Sequence, residues 1–257
     1  MNEAFYIGAT GLRSAQNALE VISNNVANMN TTAFKRSSVQ FSELISPSTS
    51  PSDPPSADAD AASLLAGVMV SGSPRDFSQG TLQTTGQTLD LAINGQGFVE
   101  LLGPSGQVLL WRGGTMQINP DGHLAAPNGM VLKANITVPS SVTSLTIGPD
   151  GAVQAVSSGS TATTTLGHIE LATTNNPNGL SDLGGGIYQP SDEHDLTIAP
   201  AGQNGTGLLA QGALEQSNVQ LTDEMVNLML IQRAYSANAQ VVQAGDQLMS
   251  IANSLKR

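Results

Sequence analysis

The stretch from Phe5 to Met29 reads FYIGATGLRSAQNALEVISNNVANM, and its apolar and small residues recur at alternating steps of three and four. This is heptad spacing, in which two positions of every seven face a partner helix. The first position holds Phe5, Leu12, Leu19 and Val26, and the second holds Gly8, Ala15, Ile22 and Met29. The pattern predicts one long N-terminal helix of about 25 residues, roughly 37 Å in length.

The C-terminal segment has a similar pattern. Residues at steps of seven are Leu221, Leu228, Tyr235, Val242 and Met249, with Ile231, Val241, Leu248, Ala252 and Leu255 on the same broad face. The first turn carries Asp223 and Glu224, and the end carries Lys256 and Arg257, which matches the direction of the helix dipole. A second long helix is predicted here.

The region between the helices changes composition twice. Residues 46–62 read SPSTSPSDPPSADADAA, which contains nothing to bury and predicts a flexible or extended insertion. From about Ser71 to Gly212, alternating apolar residues are separated by glycines, the pattern of short strands and hairpins. Two segments, INPDGHLAA from Ile118 and IGPDGAVQA from Ile147, place Pro-Asp-Gly between apolar runs and predict similar hairpins.

These patterns predict an α+β protein, with long N- and C-terminal helices forming a coiled-coil core and a mainly antiparallel β central domain. The expected divisions are 1–33 with 213–257 for the helical core, 34–70 for an extended insertion and 71–212 for the β domain. The chain of 257 residues is long enough for this arrangement.

Composition excludes several function classes. The formal net charge is -11 with only nine Lys and Arg residues, so a nucleic-acid partner is not expected. There is no cysteine, which removes disulfides and thiolate metal sites. No apolar run is long enough to span a membrane, and the beginning of the sequence lacks the basic and apolar regions of a cleaved signal peptide.

No catalytic, cofactor or metal site is predicted. The acids and histidine of SDEHD, Ser191 to Asp195, are consecutive and have no second cluster to complement them, which favours a solvated loop. The glycines of NGQGF and LGGGIY lack the spacing of a phosphate-binding loop. His123 and His168 have no apparent nucleophile or paired acid.

The two helices are poor in charge. Residues 1–33 contain Glu3, Arg13 and Glu20 as their only charges, and residues 219–255 contain four. A helix whose outer face meets water normally carries more. Either the helices form only an intramolecular hairpin, or both faces are covered, with the polar face against other subunits. The second interpretation explains the uncharged polar residues better.

Two long motifs resemble the signatures of bacterial flagellar rod and hook axial proteins. They are TGLRSAQNALEVISNNVANMNTTAFKR from Thr10 and GALEQSNVQLTDEMVNLMLIQRAYSANAQVVQAGDQLM from Gly212. The segment DFSQGTLQTTGQTLDLAINGQGFVEL from Asp76 is also similar to this family, so the resemblance covers nearly the whole chain outside 46–62. Chain length and GTGLLAQGALEQSNV from Gly205 are most similar to distal rod members, with proximal rod members as the alternative. Ala33 departs from the glycine common in the family, and WRGGTM from Trp111 departs from a common Arg-Asp-Gly turn.

The resemblance implies a structural protein without enzymatic activity or cofactor. Such proteins pass through the flagellar type III export apparatus without a cleaved signal and form a helical tube across the periplasm, in the basal body, which transmits torque to the hook. Expected partners are further copies of the chain, other rod proteins, the hook protein, the surrounding ring proteins and the export apparatus, and the 34–70 insertion is expected to contact neighbouring subunits. The alternatives from other classes are a β-rich adhesin with a helical stalk and a peptidoglycan hydrolase.

The residues expected to carry this function lie on the two helices. We expect Leu12, Leu19, Ile22 and Val26 to pack on Leu228, Tyr235, Val242 and Met249. We expect Asn24, Asn25, Asn28, Asn30, Gln232 and Asn238 to bond across subunits, because a side-chain amide both donates and accepts hydrogen bonds. The remaining members of the predicted core and interface are Ala15, Thr31, Phe34, Ile231 and Arg233.

Overall fold

The computed structural model describes residues 2–45, 65–159 and 162–255. The insertion predicted at 46–62 lies outside these residues. The chain divides into two compact units. The helical unit comprises Met1–Ala27, Ser37–Pro74 and Gln220–Arg257, and the β unit comprises Asn28–Arg36 and Arg75–Val219. Two helices with mostly antiparallel sheets confirm the predicted α+β class.

The helical unit contains two long helices and one hairpin. Its elements are α1 (Asn2–Ala27), β1 (Gln40–Ile45), β2 (Leu65–Gly72) and α2 (Leu221–Leu255). Strands β1 and β2 are antiparallel, with Ser42 opposite Met69. Helix α1 packs against α2 and also against β2, where Ser14 Oγ donates a hydrogen bond of 3.2 Å to the carbonyl oxygen of Val68.

Helix α1 ends two residues before the predicted end at Met29. Residues 28–30 form a turn, in which the amide of Thr31 donates to the carbonyl of Asn28 at 3.1 Å. Asparagine favours such turns because its side chain competes for backbone hydrogen bonds. Consecutive asparagines therefore terminate the helix.

Over its described residues, the β unit contains sixteen short strands. They are β3 (Leu82–Thr84), β4 (Asp90–Asn94), β5 (Phe98–Leu102), β6 (Val108–Trp111), β7 (Gly113–Thr115), β8 (Gln117–Ile118), β9 (Leu124–Ala125), β10 (Val142–Ile147), β11 (Ala152–Ser157), β12 (Thr163–His168), β13 (Glu170–Thr174), β14 (Leu180–Gly184), β15 (Ile187–Pro190), β16 (Leu196–Pro200), β17 (Leu208–Gln211) and β18 (Ala213–Glu215). One-turn 3-10 helices lie at Pro177–Gly179 and Glu193–Asp195.

These strands form five sheets. The largest has six strands in the order β14-β15-β6-β5-β13-β16, and two have three strands, in the orders β17-β4-β7 and β10-β11-β12. Strand β18 pairs with β3 and β8 with β9. Both predicted Pro-Asp-Gly hairpins are confirmed, between β8 and β9 and between β10 and β11. Their glycines, Gly122 and Gly151, have φ of 83° and 90°, which a residue with a Cβ adopts at a cost.

The core of the β unit is apolar and consists of two clusters. Trp111, Leu91 and Leu101 are fully buried members of one large cluster. A smaller cluster contains Phe98 and Tyr188, whose ring centroids lie 5.7 Å apart in an edge-to-face arrangement. This geometry is favourable for aromatic pairs. Burial also raises the pKa of Tyr188 well above its ordinary value, because it disfavours the charged phenolate.

Candidate subunit interface

Helices α1 and α2 pack antiparallel at close range. Phe5 lies beside Gly245, whereas Gly11, two turns further along α1, lies beside Asn238. A Cβ on Gly8 would lie 2.7 Å from Val242 Cγ2, and a Cβ on Gly11 would lie 2.7 Å from Asn238 Nδ2. Both distances are shorter than real Cβ contacts, so a side chain at either position would displace the side chain of Val242 or Asn238 from this helix contact.

The buried face of α1 includes Gly8, Ala15 and Ile22 of the second predicted heptad position, but not the residues of the first position. Its buried residues are Gly8, Gly11, Ser14, Ala15, Ala18, Ile22 and Asn25. The predicted first position is displaced outward: Leu12, Leu19 and Val26 are only half-buried, and Phe5 is 37% exposed. Small residues permit closer backbone approach than leucines do, so the stripe of small side chains occupies the contact and the larger residues flank it.

Helix α2 presents a regular stripe to α1. The least exposed residues recur at heptad steps and include Glu224, Leu228, Ile231, Tyr235, Asn238, Val242 and Gly245. The predicted residues Leu228, Ile231, Tyr235, Asn238 and Val242 therefore share this stripe. Gln232 and Arg233 are exposed, and Met249 is 40% exposed.

Asn25 forms hydrogen bonds within its own chain. Its Nδ2 donates to the carbonyl of Ser37 at 2.8 Å, and its Oδ1 accepts from the amide of Ser37 at 3.0 Å. The residue is 1% exposed. The expected bond across subunits finds no support at Asn25, because both amide atoms are engaged and the side chain is buried. The heptad position of Asn25 predicted a side chain that faces away from α2. It gave no indication of the hydrogen bonds to Ser37.

The other predicted polar residues lie on more open surface. Asn24, Asn30 and Thr31 are exposed, and Asn28 is half-buried. Thr31 Oγ1 donates to Asn28 Oδ1 at 3.0 Å within the β unit. Phe34, also in the β unit, lies 5.6 Å from the guanidinium carbon of Arg75, a cation-π distance. Their role between subunits stays a prediction.

A buried ion cluster, comprising Lys35, Arg112 and Glu215, was not predicted. Lys35 Nζ lies 2.7 Å from Glu215 Oε1, and Arg112 Nε lies 2.8 Å from Glu215 Oε2. The three residues are 0%, 3% and 1% exposed. Burial, followed by the positive charge of Arg112, lowers the pKa of Lys35.

Lys35 and Arg112 also donate hydrogen bonds to backbone carbonyl groups. Lys35 Nζ also donates to the carbonyl of Ser78 at 2.7 Å. Arg112 donates to the carbonyls of Gly95 and Gly97, each at 2.6 Å. The cluster therefore joins the segment after α1 to β18 and to the loop between β4 and β5. Its sequence signal is a few isolated charges within charge-poor motifs.

The ion cluster is reinforced by backbone bonds between the same two segments. The amide of Ala33 donates to the carbonyl of Glu215 at 2.8 Å, and the amide of Arg36 donates to Asn218 Oδ1 at 2.7 Å. Ala33 has φ of 57° and is 1% exposed. A buried alanine therefore adopts the left-handed conformation that glycine adopts more easily.

Over residues 2–45, 65–159 and 162–255, no group of three acidic, histidine or cysteine side chains could hold a metal ion. In the 191–195 loop, Asp192 accepts a hydrogen bond from the amide of His194 and Glu193 accepts one from the amide of Val108. Neither α1 nor α2, as described, is apolar enough over a sufficient length to cross a membrane.

Three family models match the regions just described. Residues 5–35 match the flagella basal body rod protein model, residues 92–155 the flagellar hook protein FlgE/F/G D1 domain, and residues 210–255 the flagellar basal body rod FlgEFG protein C-terminal model. The first and last matches contain α1, α2 and two residues of the ion cluster, Lys35 and Glu215. Over 254 residues, the chain is 35% identical to the flagellar basal-body rod protein FlgG of Buchnera aphidicola subsp. Baizongia pistaciae, covering 97% of this chain and 98% of that protein.

The chain belongs to the flagellar basal-body rod protein family. A second FlgG, from Borreliella burgdorferi, is 33% identical over 100% of both chains. The rod protein FlgF of Caulobacter vibrioides is 30% identical over 94% of this chain and 93% of its own. This rod protein is therefore a structural subunit of the flagellar rod, and its FlgG relatives support the distal rod assignment.

Proposed function

We propose that this rod protein polymerises into the helical tube of the distal rod, with α1 and α2 forming a coiled-coil inner layer. In this position the tube transmits motor torque to the hook. The observation that carries the proposal is the exposed surface of α2, which combines large apolar side chains, such as Met225, Leu230 and Leu248, with few charges. Such a surface is costly in water and favourable in a subunit contact.

The likeness to rod proteins supports several finer assignments. Subunits reach the periplasm through the flagellar export apparatus without a cleaved signal, and they contact other rod proteins, the hook protein and the surrounding rings. The segment 34–70 contacts neighbouring subunits. Heterologous contacts that do not close into a ring produce an open filament, the geometry that a tube requires.

Two experiments test the proposal. Electron microscopy of the purified full-length protein at increasing concentration should reveal tubular assemblies, which neither a stalked adhesin nor a cell-wall hydrolase would form. Immunogold labelling of a tagged protein in purified basal bodies should place it next to the hook. Label next to the inner-membrane ring would instead support a proximal rod position, and the absence of tubes together with the absence of label would contradict the proposal.

A further inference from the structure

The sequence contains four Asn-Gly pairs, which begin at Asn94, Asn128, Asn178 and Asn204. In such a pair the backbone nitrogen of the glycine can attack Cγ, the carbonyl carbon of the asparagine side chain. Glycine favours the reaction because it has no side chain to obstruct the approach. The bond from nitrogen to Cγ forms, the bond from Cγ to Nδ2 breaks, and ammonia leaves. Water then opens the cyclic imide and leaves aspartate or isoaspartate.

At three of the four pairs, a hydrogen bond holds the attacking nitrogen. The amide of Gly95 donates to Gln79 Oε1 at 3.0 Å. The amides of Gly129 and Gly179 donate to backbone carbonyls three residues earlier, at 2.9 and 3.1 Å. The nitrogen must rotate toward Cγ before the ring can close, and this rotation breaks the hydrogen bond. The fold therefore opposes the reaction at these three pairs.

The fourth pair, Asn204 and Gly205, lies exposed in the loop between β16 and β17. Among the residues that the structure describes, neither the Gly205 amide nor the Asn204 side chain has a hydrogen-bond partner. The two residues have φ of 51° and 81° and form the centre of a turn, which the amide of Thr206 closes by donating to the carbonyl of Gln203 at 2.9 Å. The Gly205 nitrogen can therefore rotate toward Cγ without losing a hydrogen bond of its own.

We propose that Asn204 is a site of non-enzymatic deamidation in the folded protein, with water as the co-reactant. The reaction consumes one water molecule and releases one molecule of ammonia. It adds one negative charge to the loop between β16 and β17, in a chain whose formal net charge is already -11. Isoaspartate also lengthens the main chain by one carbon within the turn. The rod protein thus carries one defined position at which its charge changes slowly, whether or not it assembles.

Incubation of the folded protein in a mildly alkaline buffer tests the assignment, because base removes the amide proton before the attack. Peptide mapping by mass spectrometry follows all four pairs in one sample. Asn204 should deamidate at least about fivefold faster than Asn94, Asn128 or Asn178, which is the factor expected from one protecting hydrogen bond. In guanidinium chloride, which unfolds the chain, the four rates should become similar.

Two variants provide a matched control. Asn204→Asp already carries the product carboxylate and has no ammonia to release, so isoelectric focusing of the incubated, folded variant should show no rapid acidic shift. Asn128→Asp, altered at another exposed turn position, should keep that shift.

Three results would overturn the assignment. The first is a rate at any of the other three pairs that equals the rate at Asn204 in the folded protein. The second is a rapid acidic shift that persists in Asn204→Asp. The third is an Asn204 that remains fastest by the same factor in guanidinium chloride, because the cause would then be the local sequence and not the fold.

Discussion

Lys35 Nζ lies 2.7 Å from Glu215 Oε1, although the two residues are 180 positions apart in the sequence. Both side chains are buried. The pair joins the two motifs that begin and end the β unit. With Arg112 it gives a buried cluster of two cations and one anion. Such a cluster stabilises only while its charges remain paired, because each ion has lost its hydration.

We expect Glu215→Gln to be far more damaging than Lys35→Met. The glutamine leaves Lys35 and Arg112 as two buried cations without an anion, which should lower the free energy of unfolding by about 3–5 kcal/mol. The methionine leaves Arg112 paired with Glu215 and fills a similar volume, so its cost should be clearly smaller. Urea unfolding followed by tryptophan fluorescence measures both, since Trp111, the single tryptophan, lies in the β unit. Equal losses would contradict the pairing argument.

We expect Ala33→Gly to be neutral or stabilising by up to about 1 kcal/mol, which is unusual for a buried alanine. At φ of 57° the Cβ of alanine costs roughly 1–2 kcal/mol, and glycine removes that strain while adding conformational freedom to the unfolded chain. The control is Ala92→Gly, at a fully buried position of β4. It should lose about 1 kcal/mol in the same urea titration, and a comparable loss at Ala33 would refute the strain argument.

Local patterns predicted the class of the fold because each depends on neighbours in sequence. The Pro-Asp-Gly turns at Gly122 and Gly151 need only their flanking strands, and both helices follow from apolar spacing. The contact face of α1 was predicted less well, because heptad positions weight large residues, whereas Gly8 and Gly11 define the closest approach. The role of these two glycines depends on Val242 and Asn238, which lie opposite them on α2 in the folded structure.

Long-range pairings were beyond sequence reasoning. Asn25 pairs with Ser37 across the turn that follows α1, and nothing in local spacing distinguishes it from the exposed Asn24. Lys35, Arg112 and Glu215 each occur in a recognised or neighbouring motif, but the few charges of a charge-poor stretch do not show which residues pair. One sequence alone does not supply the missing pairings.

The close approach of the helices predicts that Gly11→Leu destabilises the helical unit. Added atoms would meet the amide group of Asn238, whose nearest atom lies 2.7 Å from the position of the first new carbon. Overpacking of this kind costs about 1–3 kcal/mol. Asn17→Leu, at an exposed position of α1, adds an apolar residue without that collision. Thermal unfolding followed by far-ultraviolet circular dichroism should show a lower midpoint for Gly11→Leu only, and equal midpoints would indicate that the helices separate freely.

Alkaline titration should reveal the burial of Tyr188. Its pKa in the folded protein is raised above the ordinary value of 10.0 because burial disfavours the phenolate. The folded state therefore holds this proton more tightly than the unfolded state, and the resulting stability is present below about pH 10 and lost as pH rises above it. Lys35 acts in the opposite direction, since its lowered pKa makes stability rise with pH as the lysine deprotonates.

Comparison with Tyr188→Phe isolates the tyrosine, because both proteins contain Lys35. The free energy of unfolding of the parent should fall relative to Tyr188→Phe by up to about 1.4 kcal/mol for each pH unit above 10, and parallel curves would show that Tyr188 ionises as readily in the folded protein as in the unfolded chain.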